Sequence, residues 1–118
     1  MRYFRSALVL CTLLLFLMIP GILWAHPASS LDLTYDKDSS ILEVVASHGV
    51  SDVSSHYIDR FEVFLDGKRY CELEVVQQFS LTEAVALFKL PVLKSGVLIE
   101  VEVDCNKFGK RKASVTVE

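Results

Sequence analysis

Residues 97–105 read Val97-Leu98-Ile99-Glu100-Val101-Glu102-Val103-Asp104-Cys105. Apolar and acidic side chains alternate along this run, and a period of two residues is typical of a β-strand with one buried face and one face in water. Five side chains share the predicted buried face: Val97, Ile99, Val101, Val103 and Cys105. The strand therefore predicts a sheet packed on a core, with Cys105 at the end of the core face.

The rest of the chain repeats this pattern. Residues 41–48 alternate as well, with four side chains on one face: Leu42, Val44, Ala46 and His48. Further strands are predicted over residues 31–35, 57–65, 68–75, 84–90 and 113–117. Asp66-Gly67 predicts a type I′ hairpin turn, which needs positive φ at both central residues, and residues 77–83 predict a loop that crosses between sheets. Seven or so short strands predict an all-β fold, an immunoglobulin-like antiparallel β-sandwich.

The first 25 residues have the composition of an export signal. Arg2 and Arg5 give a basic start, residues 7–18 are apolar, and Pro20-Gly21 precede a predicted cleavage site after Ala25. Cleavage would leave residues 26–118 as one periplasmic or extracellular domain. An uncleaved membrane anchor is the alternative, because the apolar segment approaches the roughly 20 residues that span a bilayer.

The charge balance argues against two classes of partner. The chain has 12 Lys+Arg and 15 Asp+Glu, a formal net charge of −3. Nucleic acids and anionic membranes are bound by clustered positive charge, and the basic cluster at residues 107–112 is short enough to be a solvated hairpin. We therefore expect no nucleic acid partner. A domain of this size builds one modest core, which often needs a metal, a disulfide or a partner as a supplement.

Three histidines and one cysteine lie at predicted strand ends: His26, His48, His56 and Cys105. Because His48 and His56 bracket one short loop, the adjoining strands can bring both rings to the same end of the sandwich. Imidazole and thiolate together are a ligand set suited to a redox-active transition metal. Each histidine alone also fits an ordinary loop residue with backbone hydrogen bonds. Cys105 also fits a disulfide with Cys71, which an oxidising compartment would favour.

In order and approximate spacing these residues resemble the superoxide reductase family, which includes neelaredoxin and the iron domain of desulfoferrodoxin. The resemblance rests on a strand that ends in His48, the run His56-Tyr57-Ile58, and a strand that ends in Cys105-Asn106. It implies an immunoglobulin-like sandwich with mononuclear non-haem iron that reduces superoxide to hydrogen peroxide, using an external electron donor. It also implies metal ligands at His26, His48 and His56, with Cys105 as the axial thiolate that takes part in catalysis.

The chain departs from that family in ways that matter for the metal. Phe108 stands where the family has a fourth histidine, and phenylalanine cannot bind iron. The lysine that precedes the first histidine in many members has no counterpart. If cleavage frees His26, its α-amino group could supply another nitrogen ligand, which resembles the copper brace of secreted copper proteins.

Three functions are therefore predicted from the sequence. The first is an exported superoxide reductase-like iron protein with an incomplete site. The second is a copper- or iron-binding module without turnover that uses the amino-terminal His26. The third is a structural secreted domain in which Cys71 and Cys105 are bridged and the histidines lie apart.

Overall fold

The computed structural model describes residues 26–118, so the predicted export signal, residues 1–25, lies outside the described part of the chain. Seven β-strands form, with these bounds: β1 Ser30–Asp36, β2 Ile41–Ser47, β3 Ile58–Leu65, β4 Lys68–Glu74, β5 Glu83–Lys89, β6 Leu98–Cys105 and β7 Lys110–Thr116. Within residues 26–118 there is no helix of the length and apolarity needed to cross a bilayer. The prediction of an all-β fold is confirmed.

Two antiparallel sheets enclose the core. One sheet has the order β1-β2-β5 and the other has the order β4-β3-β6-β7. The faces predicted to be buried are buried: Leu42 and Val44 of β2 and Ile99 and Val101 of β6 are fully inaccessible to solvent. Each such side chain contributes roughly 1.5–3 kcal/mol relative to exposure. The predicted antiparallel sandwich of about seven strands is thus confirmed.

Asp66-Gly67 forms the predicted two-residue turn between β3 and β4. Leu65 pairs with Lys68, and the φ angles of Asp66 and Gly67 are 49° and 79°. Both are positive, as a type I′ turn requires. The Asp66 carboxylate also accepts a hydrogen bond from the Leu98 N–H at 2.9 Å, which ties this turn to the start of β6.

β7 begins at Lys110, earlier than the predicted strand over residues 113–117. The extra residues are cationic and lie beside the acidic face of β6. Lys110 Nζ is 2.9 Å from a Glu102 oxygen, and Lys112 Nζ is 3.4 Å from a Glu100 oxygen. Opposite charges across a strand pair stabilise the pairing. The basic residues that the sequence predicts to lie in a solvated hairpin therefore form ion pairs with the acidic residues of the neighbouring strand.

Cys71 and Cys105 are both free thiols, so the alternative of a disulfide between them is wrong. Cys71 pairs with Val63 of β3, and Val63 pairs with Val101 of β6, four residues before Cys105. Two strand spacings and four residues of strand rise separate the cysteines by roughly 17 Å. A disulfide needs Cα atoms about 4.4–6.8 Å apart. The alternative of a disulfide-bonded structural domain is therefore excluded by the sheet register.

Candidate metal site

The three histidine rings meet at one end of the sandwich, where β2 ends and β3 begins. The ring centroids of His26 and His48 are 4.9 Å apart, those of His26 and His56 are 5.4 Å apart, and those of His48 and His56 are 4.8 Å apart. One ligand nitrogen from each ring lies within 4.8 Å of the other two. The structure therefore brings together histidines that are separated in the sequence.

Cys105 places a sulfur beside this cluster. It is the last residue of β6 and is 8% exposed. Its Sγ lies 3.1 Å from Nε2 of His56. A nitrogen at ~2.1 Å and a sulfur at ~2.3 Å from one metal ion are about 3.1 Å apart when the two bonds are at right angles. Cys105 and His56 thus already have the separation that a shared metal ion would impose.

The three imidazoles must draw together to hold one metal ion. Three nitrogens ~2.1 Å from one metal lie about 3.0–3.6 Å apart at bond angles of about 90–120°, closer than the 4.8 Å that bounds the present cluster. His26 is exposed and has the most room to move, whereas His48 is 1% exposed. Three imidazoles and one thiolate are a donor set suited to iron, copper or zinc.

Phe108 does not take part in the cluster. It lies in the loop between β6 and β7, and its side chain is 70% exposed. The chain has three histidines, and all three are in the cluster. The described residues therefore offer a metal three clustered imidazole nitrogens, with the Cys105 sulfur beside one of them, His56, and this is one histidine fewer than the resemblance implies.

Asn106 holds the loop that carries His56 against the strand that carries Cys105. Its side-chain Oδ1 accepts from the Tyr57 N–H at 2.9 Å, and its Nδ2 donates to the Ser55 carbonyl at 3.1 Å. Its backbone N–H donates to the Tyr57 carbonyl at 2.9 Å. These bonds act on the backbone of the residues directly before and after His56, so they hold the segment that carries that ring.

Gln78 is the residue of the site that the sequence analysis does not identify. It lies in the loop between β4 and β5, which crosses between the sheets as predicted, and it is 2% exposed. Its Oε1 lies 2.8 Å from Nδ1 of His48 and accepts from the Ile58 N–H at 3.2 Å. Its Nε2 donates to the carbonyls of His48 and Ser80 at 2.7 and 2.9 Å. The sequence gives no signal for this role, because two glutamines stand side by side and only the structure shows that Gln77 is exposed and Gln78 is buried.

Burial lowers the pKa of His56 below the usual imidazole value, and the positive charge that the nearby His48, His26 and Lys107 can carry lowers it further. The cause is physical proximity in a half-buried site, where a charged ring loses hydration and meets like charges. A neutral ring is the form that binds a metal. The environment of His56 therefore favours its ligand form.

The stability of the metal-free protein should depend on this pKa. Since the folded-state pKa of His56 is lower than its unfolded value, the unfolded state binds more protons, and the contribution of His56 is full above about pH 6.5 and is lost as pH falls further. We expect the free energy of unfolding in urea to drop more steeply below about pH 6.5 in the wild type than in His56→Gln. Parallel pH profiles for the two proteins would contradict this assignment.

Pro27 packs on Gly109, and this contact positions the segment that carries His26. Gly109 has a φ of 101°, and a Cβ atom there would lie 2.8 Å from the Pro27 Cβ. Both the backbone conformation and the contact therefore require glycine. The loop that follows Cys105 thus also supports the first histidine of the cluster.

Gly109→Ala should push Pro27 away and lower metal affinity through His26. The matched control is Gly96→Ala, because Gly96 has a φ of 91° but a Cβ atom added there would meet nothing within 4 Å. Both variants should lose stability through backbone strain, but only Gly109→Ala should lose metal affinity in a competition titration. Equal affinities for the two variants would show that the contact with Pro27 does not support the site.

Solved structures share this fold. A hypothetical protein PH1083 from Pyrococcus horikoshii OT3 is similar with a TM-score of 0.56 and 21% identity, over 80% of this chain and 91% of that chain. A superoxide reductase (neelaredoxin) from Archaeoglobus fulgidus in the reduced form gives a TM-score of 0.52 and 18% identity, over 81% of this chain and 92% of that chain. A superoxide reductase in the oxidised state gives a TM-score of 0.50 and 19% identity, over 80% of this chain and 92% of that chain.

No protein-family model matches this sequence, and no curated protein matches it. At these identities the solved structures establish the architecture. The protein therefore shares the fold of these superoxide reductases, which is the fold that the sequence resemblance implies. Its His26, His48 and His56 cluster is a candidate metal site on that fold.

Proposed function

We propose that this protein is exported and binds one iron ion through His26, His48, His56 and Cys105, where it reduces superoxide to hydrogen peroxide. The observation that carries the proposal is the convergence of three imidazole rings and one thiol at one end of a superoxide reductase-like sandwich. Neither the fold nor an isolated histidine would support it alone. The cluster is half open to solvent, because His26 is exposed and His48 is buried, so a small anion can reach it.

The chemistry follows from the donor set. Bound Fe²⁺ would supply one electron, which together with two protons converts superoxide to hydrogen peroxide. An external donor protein would return the electron. Cys105 would bind as a thiolate and favour release of the product, as the family resemblance implies. Lys107 places positive charge near His56, and positive charge beside a site raises the local concentration of an anionic substrate.

A copper- or iron-binding module without turnover is the second candidate, and the exposure of His26 favours it. Cleavage after Ala25 would give His26 an α-amino group beside its ring, so one residue would offer two nitrogen ligands. Cu²⁺ also binds most nitrogen and sulfur sites more tightly than Fe²⁺ does. This candidate adds the α-amino group to the same side-chain ligands and needs no electron donor.

One preparation tests both candidates. The exported protein is purified without chelator, its metal content and amino-terminal residue are determined, and superoxide decay is followed by stopped flow after anaerobic loading with Fe²⁺. Bound iron, a start at His26 and consumption of superoxide would support the first function. Bound copper without consumption would support the second. Absence of metal would defeat both, and residues 1–25 retained in a membrane fraction would defeat both cleavage to a secreted protein and the amino-terminal ligand.

A further inference from the structure

His48 lies between two hydrogen-bond acceptors. Its Nδ1 is 2.8 Å from Oε1 of Gln78, and its Nε2 is 3.0 Å from the carbonyl oxygen of His26. A neutral imidazole has one N–H, so it can donate to only one of these oxygens. The other nitrogen then carries a lone pair, and that nitrogen is the one able to bind a metal. The two acceptors therefore compete for the proton that decides whether His48 can be a ligand, and through which atom.

The atom of Gln78 that faces the ring is an acceptor. Its Nε2 donates to the carbonyls of His48 and Ser80, and its Oε1 accepts from the Ile58 N–H. A flipped amide would place its oxygen against two carbonyl oxygens and its NH₂ against an N–H donor. The hydrogen-bond network thus fixes the amide orientation, and the Nδ1 of His48 faces an oxygen.

The Gln78 oxygen is the stronger competitor. It is buried, its side chain being 2% exposed, and it lies closer to the ring than the His26 carbonyl does. In a buried environment a hydrogen bond is stronger. His26 is exposed, so water can serve its carbonyl group instead.

We infer that Gln78 is a positioning residue that keeps the proton of neutral His48 on Nδ1 and so leaves the lone pair on Nε2 for a metal ion. The inference rests on the proposed metal site and names the residue that prepares it. Without the Gln78 oxygen, the remaining acceptor is the His26 carbonyl. The proton would then move to Nε2, and the hydrogen bond to His26 would block the ligand position.

Two substitutions separate this role from simple support of the fold. Gln78→Leu removes the acceptor. Gln78→Glu keeps an oxygen at Nδ1 but loses the donors to His48 and Ser80, so it should lower stability while preserving the proton position. Gln77→Leu is the matched control, because Gln77 is the exposed neighbour of the same type.

The first measurement is the ring proton position in metal-free protein, by long-range ¹H–¹⁵N correlation of ¹⁵N-histidine-labelled samples at about pH 8.5, where imidazole is neutral. Wild type, Gln77→Leu and Gln78→Glu should carry the His48 proton on Nδ1, and Gln78→Leu should carry it on Nε2. A wild-type proton on Nε2 would overturn the inference, even if Gln78→Leu does not fold.

The second measurement is Co²⁺ affinity by chelator competition. Gln78→Leu should bind roughly 10- to 100-fold more weakly than wild type, which is the usual effect of removing an outer partner of a ligand. Gln77→Leu should stay close to wild type, and Gln78→Glu should bind at least as tightly as wild type, because it keeps an acceptor at Nδ1 and adds negative charge. If Glu and Leu weaken binding equally, Gln78 is only structural. If wild type keeps the Nδ1 proton but binds no Co²⁺, the proposed metal site fails while the effect of Gln78 on the ring stands.

Discussion

His56→Ala is expected to lower the affinity for Fe²⁺ by at least about a hundredfold, more than the loss of an outer partner of a ligand. The substitution removes one of three clustered nitrogens and the group 3.1 Å from the Cys105 sulfur. The remaining donors, His26, His48 and Cys105, would hold the ion with fewer bonds. Competition titration under anaerobic conditions gives the ratio of affinities directly.

Two further variants test whether this result is specific to the imidazole of His56. Lys94→Ala changes an exposed residue outside the cluster and should leave affinity unchanged. His56→Gln keeps a polar side chain of similar reach but no imidazole, so it should lose affinity as well while perturbing the loop less. Full affinity in both His56 variants would remove His56 from the ligand set and, with it, the proposed iron site.

Much of the fold could be predicted because the sheets have one buried face. The two-residue period of β6 and β2 fixes which side chains enter the core, and the buried residues Val101 and Val44 agree with it. The same period places His48 and Cys105 at strand ends on the core side. Antiparallel pairing of Ile58 with Cys105 then brings the start of β3 to the end of β6, which is why strand-end residues converge.

The absence of the disulfide and the start of β7 could not be predicted because both depend on strand order. The distance between Cys71 and Cys105 follows from β3 lying between β4 and β6, and cysteine count carries no such information. Similarly, Lys110 belongs to a strand because Asp104 lies opposite it in the folded sheet, and its Nζ also reaches a Glu102 oxygen. Where the role of a residue is set by a partner that is distant in the sequence, the residues around it in the chain carry no sign of that role.

The role of Gln78 could not be predicted for a related reason. A glutamine in a loop predicts a side chain exposed to solvent. Only the packing of the crossover loop over His48 and Ile58 buries the side chain of Gln78. A buried amide that satisfies both its oxygen and its nitrogen is a tertiary feature. The ligands of a site can thus be located by strand ends, while the residues that orient the ligands require the structure.

Phe108→His is expected to raise iron affinity and superoxide reductase activity above those of the wild type. Residue 108 lies in the short loop that follows Cys105, and this loop is closed by the Cys105 N–H donating to the Gly109 carbonyl at 2.9 Å. A histidine there would stay in the loop that follows Cys105 and would turn inward from the exposed position of the phenylalanine. A fourth imidazole would strengthen binding and change the reduction potential of the iron.

The comparison needs three proteins, each loaded anaerobically with Fe²⁺: wild type, Phe108→His, and Phe108→Ala, which removes the ring without adding a ligand. Iron retention and stopped-flow superoxide decay should rank Phe108→His first, with wild type and Phe108→Ala alike and only weakly active. If the wild type already reacts near the diffusion limit, on the order of 10⁸–10⁹ M⁻¹s⁻¹, three imidazoles and Cys105 suffice for catalysis. In that case the absence of the fourth histidine does not limit the reaction, and the exposed Phe108 has no part in metal chemistry.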